Sequence, residues 1–209
     1  MKKAIGLLLA DFRGSIFFYT RKLRIHLSML ICNVVVVISG WFKNIALGSR
    51  IRFYGLPVIN RYPKSSIKVG NGCIFRSDST NLVGRNKKCI LVTTSQNASI
   101  EIGDNSGFNG SVIHCADRVQ IGNNVLAGYN VLIDDSDHHP IDPAARHSNT
   151  AESKAIIIED NVWLGINVTV LKGVKIGKNS VIGANSLVLT DVPADSLAIG
   201  NPCRVIKKI

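Results

Sequence analysis

From Ile158 to Val192 the apolar positions recur every six residues. Written in sixes the stretch reads IEDNVW, LGINVT, VLKGVK, IGKNSV, IGANSL, VLTDVP. The first place holds Ile158, Leu164, Val170, Ile176, Ile182 and Val188; the fifth holds Val162, Val168, Val174, Ser180, Ser186 and Val192. Gly, Asn, Asp and Lys fill most places between, residues that tolerate tight corners and face water. A period of six fits neither the turn of a helix nor two-residue alternation. It predicts one small unit stacked many times, each copy burying its apolar edge against the next. Three sixes close a triangular coil, so the expected fold is all-β, a solenoid of short parallel strands.

The period is also clean at Ile121, Ala127 and Ile133, with Val125 and Val131 in the fifth places. Before that it is ragged: Ile67–Phe75 reads as two imperfect sixes, and Arg76–Lys88 is a polar excursion. The solenoid is expected to begin near Leu47–Ile51, giving a β-helix domain over 47–209. Inside it, Asp134–Ala155 is a run of 22 residues rich in Asp, His, Pro, Ser and Ala that holds no six. Long insertions in a regular scaffold are often functional, and this one is the expected active-site loop. Beyond Pro193 the chain leaves the sixes as a closing tail, 193–209.

Residues 1–46 follow a different pattern and are expected to be mainly helical. Ile25–Phe42 carries no formal charge over 18 residues, the lower edge of a membrane-spanning length, but His26, Ser28, Asn33, Ser39 and Gly40 dilute it. Of the net charge of +11, residues 1–50 hold eight basic side chains against the single acid Asp11, a net +7. Such a segment suits peripheral contact with an anionic membrane through residues 1–45, or packing between subunits; both readings stand. The remainder is mildly basic, which argues against nucleic acid as a partner. Five scattered cysteines with no CxxC argue against a disulfide framework and for a reducing compartment, so the expected location is cytoplasmic, with membrane association open.

The insertion contains Asp134-Asp-Ser-Asp137-His138-His139-Pro140. A histidine poised near neutrality suits a general base that takes the proton of an attacking hydroxyl. Asp134, Asp135, Asp137 or a backbone carbonyl would hold its tautomer. His138 and His139 compete for this role, because neighbours on an extended chain point opposite ways. His114, His138, His139 and His147 also raise a zinc reading, but histidine count alone is weak support and no metal is expected.

The sixes, the His139-Pro140 pair, Asn161-Val-Trp163-Leu-Gly165 and the ending Gly200-Asn-Pro202-Cys-Arg204 resemble the hexapeptide-repeat acyltransferases, in their sugar O-acetyltransferase branch. The resemblance implies a left-handed parallel β-helix, a homotrimer, and acetyl-CoA as co-substrate bound between subunits. It implies His139 as base, with His138 as competitor, and Asn109 and Asp117 as contacts to a sugar acceptor. For coenzyme A it implies Trp163, Gly165, Ile166 and Ala184, with Arg204 and Lys207 near its phosphates. Ile166 stands where the family often has serine, and Leu189-Thr190 where it often has a threonine–lysine pair, so some cofactor contacts differ. The expected activity is O-acetylation of a sugar, in surface polysaccharide or glycolipid synthesis. The rivals are a small soluble acceptor (free sugar, serine or antibiotic) and a non-catalytic scaffold.

Overall fold

The computed structural model describes residues 10–78, 87–148 and 151–209. Residues 1–9 of the N-terminal segment, 79–86 of the first polar excursion and 149–150 of the second lie outside them. The chain opens with helix α1 (Phe12–Phe42), then passes through short strands that visit three sheets in rotation.

Face A holds β1 (Ala46–Leu47), β4 (Ser66–Val69), β7 (Ser99–Ile102), β10 (Arg118–Ile121), β13 (Ile156–Ile158) and β16 (Lys175–Ile176). Face B holds β2 (Arg52–Tyr54), β5 (Ile74–Arg76), β8 (Gly107–Asn109), β11 (Leu126–Tyr129), β14 (Trp163–Leu164), β17 (Val181–Ile182), β19 (Ser196–Ile199) and β20 (Arg204–Lys208). Face C holds β3 (Val58–Asn60), β6 (Ile90–Thr93), β9 (Val112–Cys115), β12 (Leu132–Asp134), β15 (Thr169–Leu171) and β18 (Leu187–Val188). Neighbouring strands pair in parallel, and only β20 turns back, antiparallel on β19. This is a left-handed parallel β-helix with one N-terminal helix.

The six-residue period maps directly onto the coil. Ile158 pairs with Ile176, Leu164 with Ile182 and Val170 with Val188, one coil of 18 residues apart. Every first-place and fifth-place residue of 158–192 is buried. The corners between faces are made by asparagines in the left-handed region, with Asn161, Asn167, Asn179 and Asn185 at φ between 57° and 61°. Their amides stack from coil to coil: Asn130 donates to Asn167 at 2.9 Å, and Asn167 to Asn185 at 2.9 Å. A second ladder runs from Asn161 to Asn179 at 3.0 Å and on to Asp195 at 2.7 Å. The glycines of the Ile-Gly pairs have a different reason. A Cβ on Gly103 would lie 2.6 Å from the carbonyl carbon of Gly122 in the next coil, closer than any side chain tolerates.

The ragged early sixes have a physical cause too. Their interior is filled by a stacked column, Phe53–Phe75–Phe108, with ring centroids 5.3 and 5.2 Å apart. Cys73, Cys89 and Cys115 fill other inward places, and all five cysteines are free and buried. Larger rings and smaller thiols replace the uniform Ile and Val of the later coils, so the pattern blurs while the coil persists.

Helix α1 lies against the first coil. Met29, Cys32, Val36 and Gly40 form its covered face. Asn33 donates to the Ile51 carbonyl at 3.2 Å and accepts from the Phe53 N–H at 2.8 Å, so its amide completes the open edge of the first coil.

Candidate active site

The Asp134–Ala155 insertion leaves face C after β12 and rejoins at β13, so it hangs from the corner between faces C and A. Its root is fixed by Asp135, fully buried, whose two oxygens accept from the N–H groups of Ala116 at 2.6 Å and Asp117 at 2.9 Å. The two arms then run side by side: Ser136 bridges Ser153, and Asp137 N–H donates to the Glu152 carbonyl at 3.1 Å. Lys172, from the next coil, braces them by pairing with Asp137 at 3.0 Å and with Glu152. Hydrogen bonds from Lys154 and Lys172 hold the Glu152 carboxyl down at about 2.

The two competing histidines are separated by a turn. His138 is in the left-handed region at φ 62°, which swings the chain between the two rings. His138 folds back so that its Nε2 lies 2.8 Å from one oxygen of Asp134. The other Asp134 oxygen lies 2.9 Å from Nδ1 of His114, and the two imidazole centroids are 4.4 Å apart. Burial pushes the Asp134 carboxyl up, but the hydrogen bonds from His114 and His138 outweigh it and leave it below the ordinary value. An ionised carboxylate only accepts, so both rings donate to it.

His139 behaves differently. It is exposed, and its Nδ1 lies 3.2 Å from the backbone carbonyl of Arg146 across the loop. A carbonyl cannot donate, so Nδ1 carries the proton and Nε2 keeps its lone pair. Of the three aspartates named as tautomer holders, Asp134 serves His138, Asp135 serves the backbone and Asp137 serves Lys172.

His114, Asp134 and His138 also have ligand atoms within 4.8 Å of one another, the cluster among the described residues with metal-ligand spacing. Their contacts of 2.8 and 2.9 Å are hydrogen-bond lengths. Two ligands on one zinc at about 2.0–2.1 Å, set tetrahedrally, would stand roughly 3.3 Å apart. The arrangement is therefore that of a shared carboxylate rather than of a coordination shell.

The other sequence-derived residues fall at a second corner. Asn109 ends β8, just before the turn from face B to face C. The left-handed residue there is Gly110 at φ 56°, so Asn109 is a strand residue and not the corner asparagine that its type would suggest. Its Oδ1 is buried without a hydrogen-bond partner, the one such side-chain atom among the described residues. Arg76 is its strand neighbour, with the guanidinium 4.3 Å over the Tyr54 ring.

Gly165, Ile166 and Ala184 stack at this same corner. A Cβ on Gly165 would lie 2.7 Å from the Ala184 nitrogen, so Gly165 is needed for packing whatever else it does. Trp163 stands exposed on face B beside Leu126. Arg204 and Lys207 lie on the exposed strand β20, at the far end of face B. One chain thus gathers Asp117, His138 and His139 at the corner of faces C and A, and Asn109, Trp163, Gly165, Ile166 and Ala184 on or beside the corner of faces B and C.

Sequence reasoning missed the His114–Asp134 pair, and with it Lys172 as the brace. The signal for the pair was the coil register, which a β-bulge between Ala127 and Tyr129 displaces.

The comparisons with known proteins agree with this geometry. Residues 155–190 match the model of the bacterial transferase hexapeptide family, six repeats. SAR2635 of Staphylococcus aureus, an acetyltransferase by name, is 35% identical over 159 residues, 65% of this chain and 76% of that protein. The chain belongs to the hexapeptide-repeat transferase family. Galactoside O-acetyltransferase of Lactococcus lactis is 45% identical over 114 residues, 54% of each chain, so this chain spans about half the length of that relative. The hexapeptide-repeat containing acetyltransferase VCA0836 of Vibrio cholerae is 28% identical with a TM-score of 0.51, covering 78% of this chain and 73% of that one. A second structure of VCA0836, 27% identical with a TM-score of 0.50 and covering 78% and 70%, is a complex with acetyl coenzyme A.

Proposed function

We propose that this family member is an acetyl-CoA-dependent O-acetyltransferase, acting on a sugar hydroxyl in a cleft between neighbouring prisms of a homotrimer. The observation that carries the reading is the His139 tautomer: Nδ1–H bonded to the Arg146 carbonyl, with Nε2 free on an exposed edge. His139 Nε2 takes the acceptor's hydroxyl proton as the oxygen attacks the thioester carbonyl. The new C–O bond forms, the C–S bond breaks, and the proton passes from His139 to the departing thiolate of coenzyme A. Holding both substrates in one cleft supplies much of the rate, since effective molarities reach about 10⁵ M or more.

Asn109 supports an acceptor rich in hydroxyls. A buried amide oxygen without a donor costs energy until a ligand O–H supplies one. Asp117, at the root of the catalytic loop, would take a second hydroxyl. Trp163, Gly165, Ile166 and Ala184 would line the pantetheine arm, with Arg204 and Lys207 near the phosphates. The named relatives, a galactoside O-acetyltransferase and an acetyltransferase complexed with acetyl coenzyme A, support this donor and this acceptor class. The acceptor we favour is a sugar of a surface polysaccharide or glycolipid, made on the cytoplasmic side.

The test is release of free coenzyme A thiol from acetyl-CoA against a panel of sugars, glycolipids, serine and aminoglycosides. Acceptor-dependent release with a sugar or glycolipid is expected. His139→Ala should lower kcat by about 10²–10⁴ while coenzyme A still binds. A chain that fails to bind coenzyme A at all would be a scaffold, and the proposal would fall.

A further inference from the structure

We infer that α1 is an in-plane anchor that seats the first coil of the prism on an anionic lipid bilayer. The helix runs 31 residues, roughly 46 Å at 1.5 Å per residue, far more than the first coil can cover. It is long and apolar enough to cross a membrane, yet only 22% of its apolar window is buried, so it is not the core helix of a soluble fold. Opposite the covered Met29–Cys32–Val36–Gly40 stripe, Leu27, Ile31, Val34, Ile38 and Trp41 face outward, and Trp41 is 74% exposed.

The occupant is chosen by charge. Arg13, Arg21, Lys22 and Arg24 are all exposed on the helix, and none forms an ion pair among the described residues. Asp11, the sole acid nearby, is used as the helix cap, accepting from the Gly14 N–H at 2.9 Å. An apolar face flanked by unpaired cations matches the boundary between acyl chains and anionic headgroups. A self-association face would carry acids to pair with those cations, and this helix has none.

The attachment to the prism decides between lying on the membrane and crossing it. The Asn33 hydrogen bonds to the Ile51 carbonyl and the Phe53 N–H tie mid-helix to the edge of the first coil. A helix crossing the bilayer would carry that coil into the hydrocarbon, where its polar corners have no partners. The helix therefore lies flat, with the prism standing on it. Tyr54, Arg76 and Asn109 then form a row on face B that climbs from the membrane end through the first three coils. On the proposed acetyltransferase reading, a sugar carried on a lipid would enter along that row.

Sedimentation of the full chain with vesicles tests the anchor without reference to activity. The protein should pellet with phosphatidylglycerol vesicles at low salt, more than tenfold less at high salt, and little with phosphatidylcholine alone. Changing Arg13, Arg21, Lys22 and Arg24 together to Gln should weaken binding more than tenfold while the thermal transition of the prism is unchanged. In a Trp163→Phe background, Trp41 fluorescence should shift to the blue on binding and be quenched by brominated lipid. No pelleting at either salt, or an unquenched Trp41 in pelleted protein, overturns the inference. So does Ile31→Asp, Ile38→Asp dissociating a lipid-free oligomer, since a second copy would then cover the face. Vesicle binding without acetyl transfer would keep the anchor and sink the enzymatic reading; soluble-sugar activity without vesicle binding would do the reverse.

Discussion

His138 and His139 are adjacent in sequence and opposite in chemistry, because one ring meets a carboxylate and the other a carbonyl. The carboxylate of Asp134 is shared with His114 and sits mostly out of water, so His138 is a braced ring at the base of the loop. His138→Ala should therefore reduce kcat far less than His139→Ala, and equal losses would mean that both rings reach the acceptor. Asp134 offers a pH test. Its carboxyl lies below 3.8 in the folded chain. A carboxyl held below its unfolded value adds stability that is fully present above that value and is lost as pH falls through the folded one. Between about pH 4 and pH 2.5 the melting temperature of the native chain should fall more steeply than that of Asp134→Asn. Equal slopes in thermal melts would remove this carboxylate from the account.

At the scale of the coil, inward and outward places differ in what they tolerate. Ile176 is fully buried, so Ile176→Asp would strand a carboxylate inside the prism at a cost on the order of 4 kcal/mol or more. Lys178 faces water, and Lys178→Asp should stay within about 0.5 kcal/mol. Equal shifts in chemical denaturation would disprove this register. The corner asparagines test backbone and ladder separately. Asn167→Ala must hold a left-handed φ without an amide, costing about 1–2 kcal/mol for the backbone alone. Asn167→Gly removes the same ladder hydrogen bonds but accepts the φ, so it should be the milder change. If glycine is as damaging as alanine, the amide ladder rather than the turn conformation carries the corner.

For the whole molecule, the separation of the site residues onto two corners is the main consequence. His139 and Asn109 hang from different edges of one prism, so a cleft using both is built most simply from two chains. His139→Ala and Asn109→Ala homotrimers should both be severely impaired. Mixed trimers refolded from the two variants should regain activity, since roughly a quarter of their clefts would hold an intact pair in a random assembly. No recovery would place the two residues in a single chain's site.

The six-residue period was sufficient to predict the β-helix and its inward places, because each six meets only its neighbours in adjacent coils and the pattern is local. The insertion was visible for the same reason, as a stretch where the period stops, and His139-Pro140 stood out within it. What lies in the insertion was not legible. The Arg146 carbonyl that sets the His139 tautomer comes from the far side of the loop, and any residue there has a carbonyl. The His114–Asp134 pair was hidden by register: Ile113 pairs with Ile133, 20 residues on instead of 18, so counting sixes sets the two side chains out of line. Asn109 showed the opposite difficulty, since its residue type suggests a corner while the chain makes that corner with Gly110. The sequence likewise marked α1 as apolar and basic and left its partner open. Only the docking of Asn33 against the first coil decided which face is covered, because a helix apolar around much of its circumference has no single side that its own sequence selects.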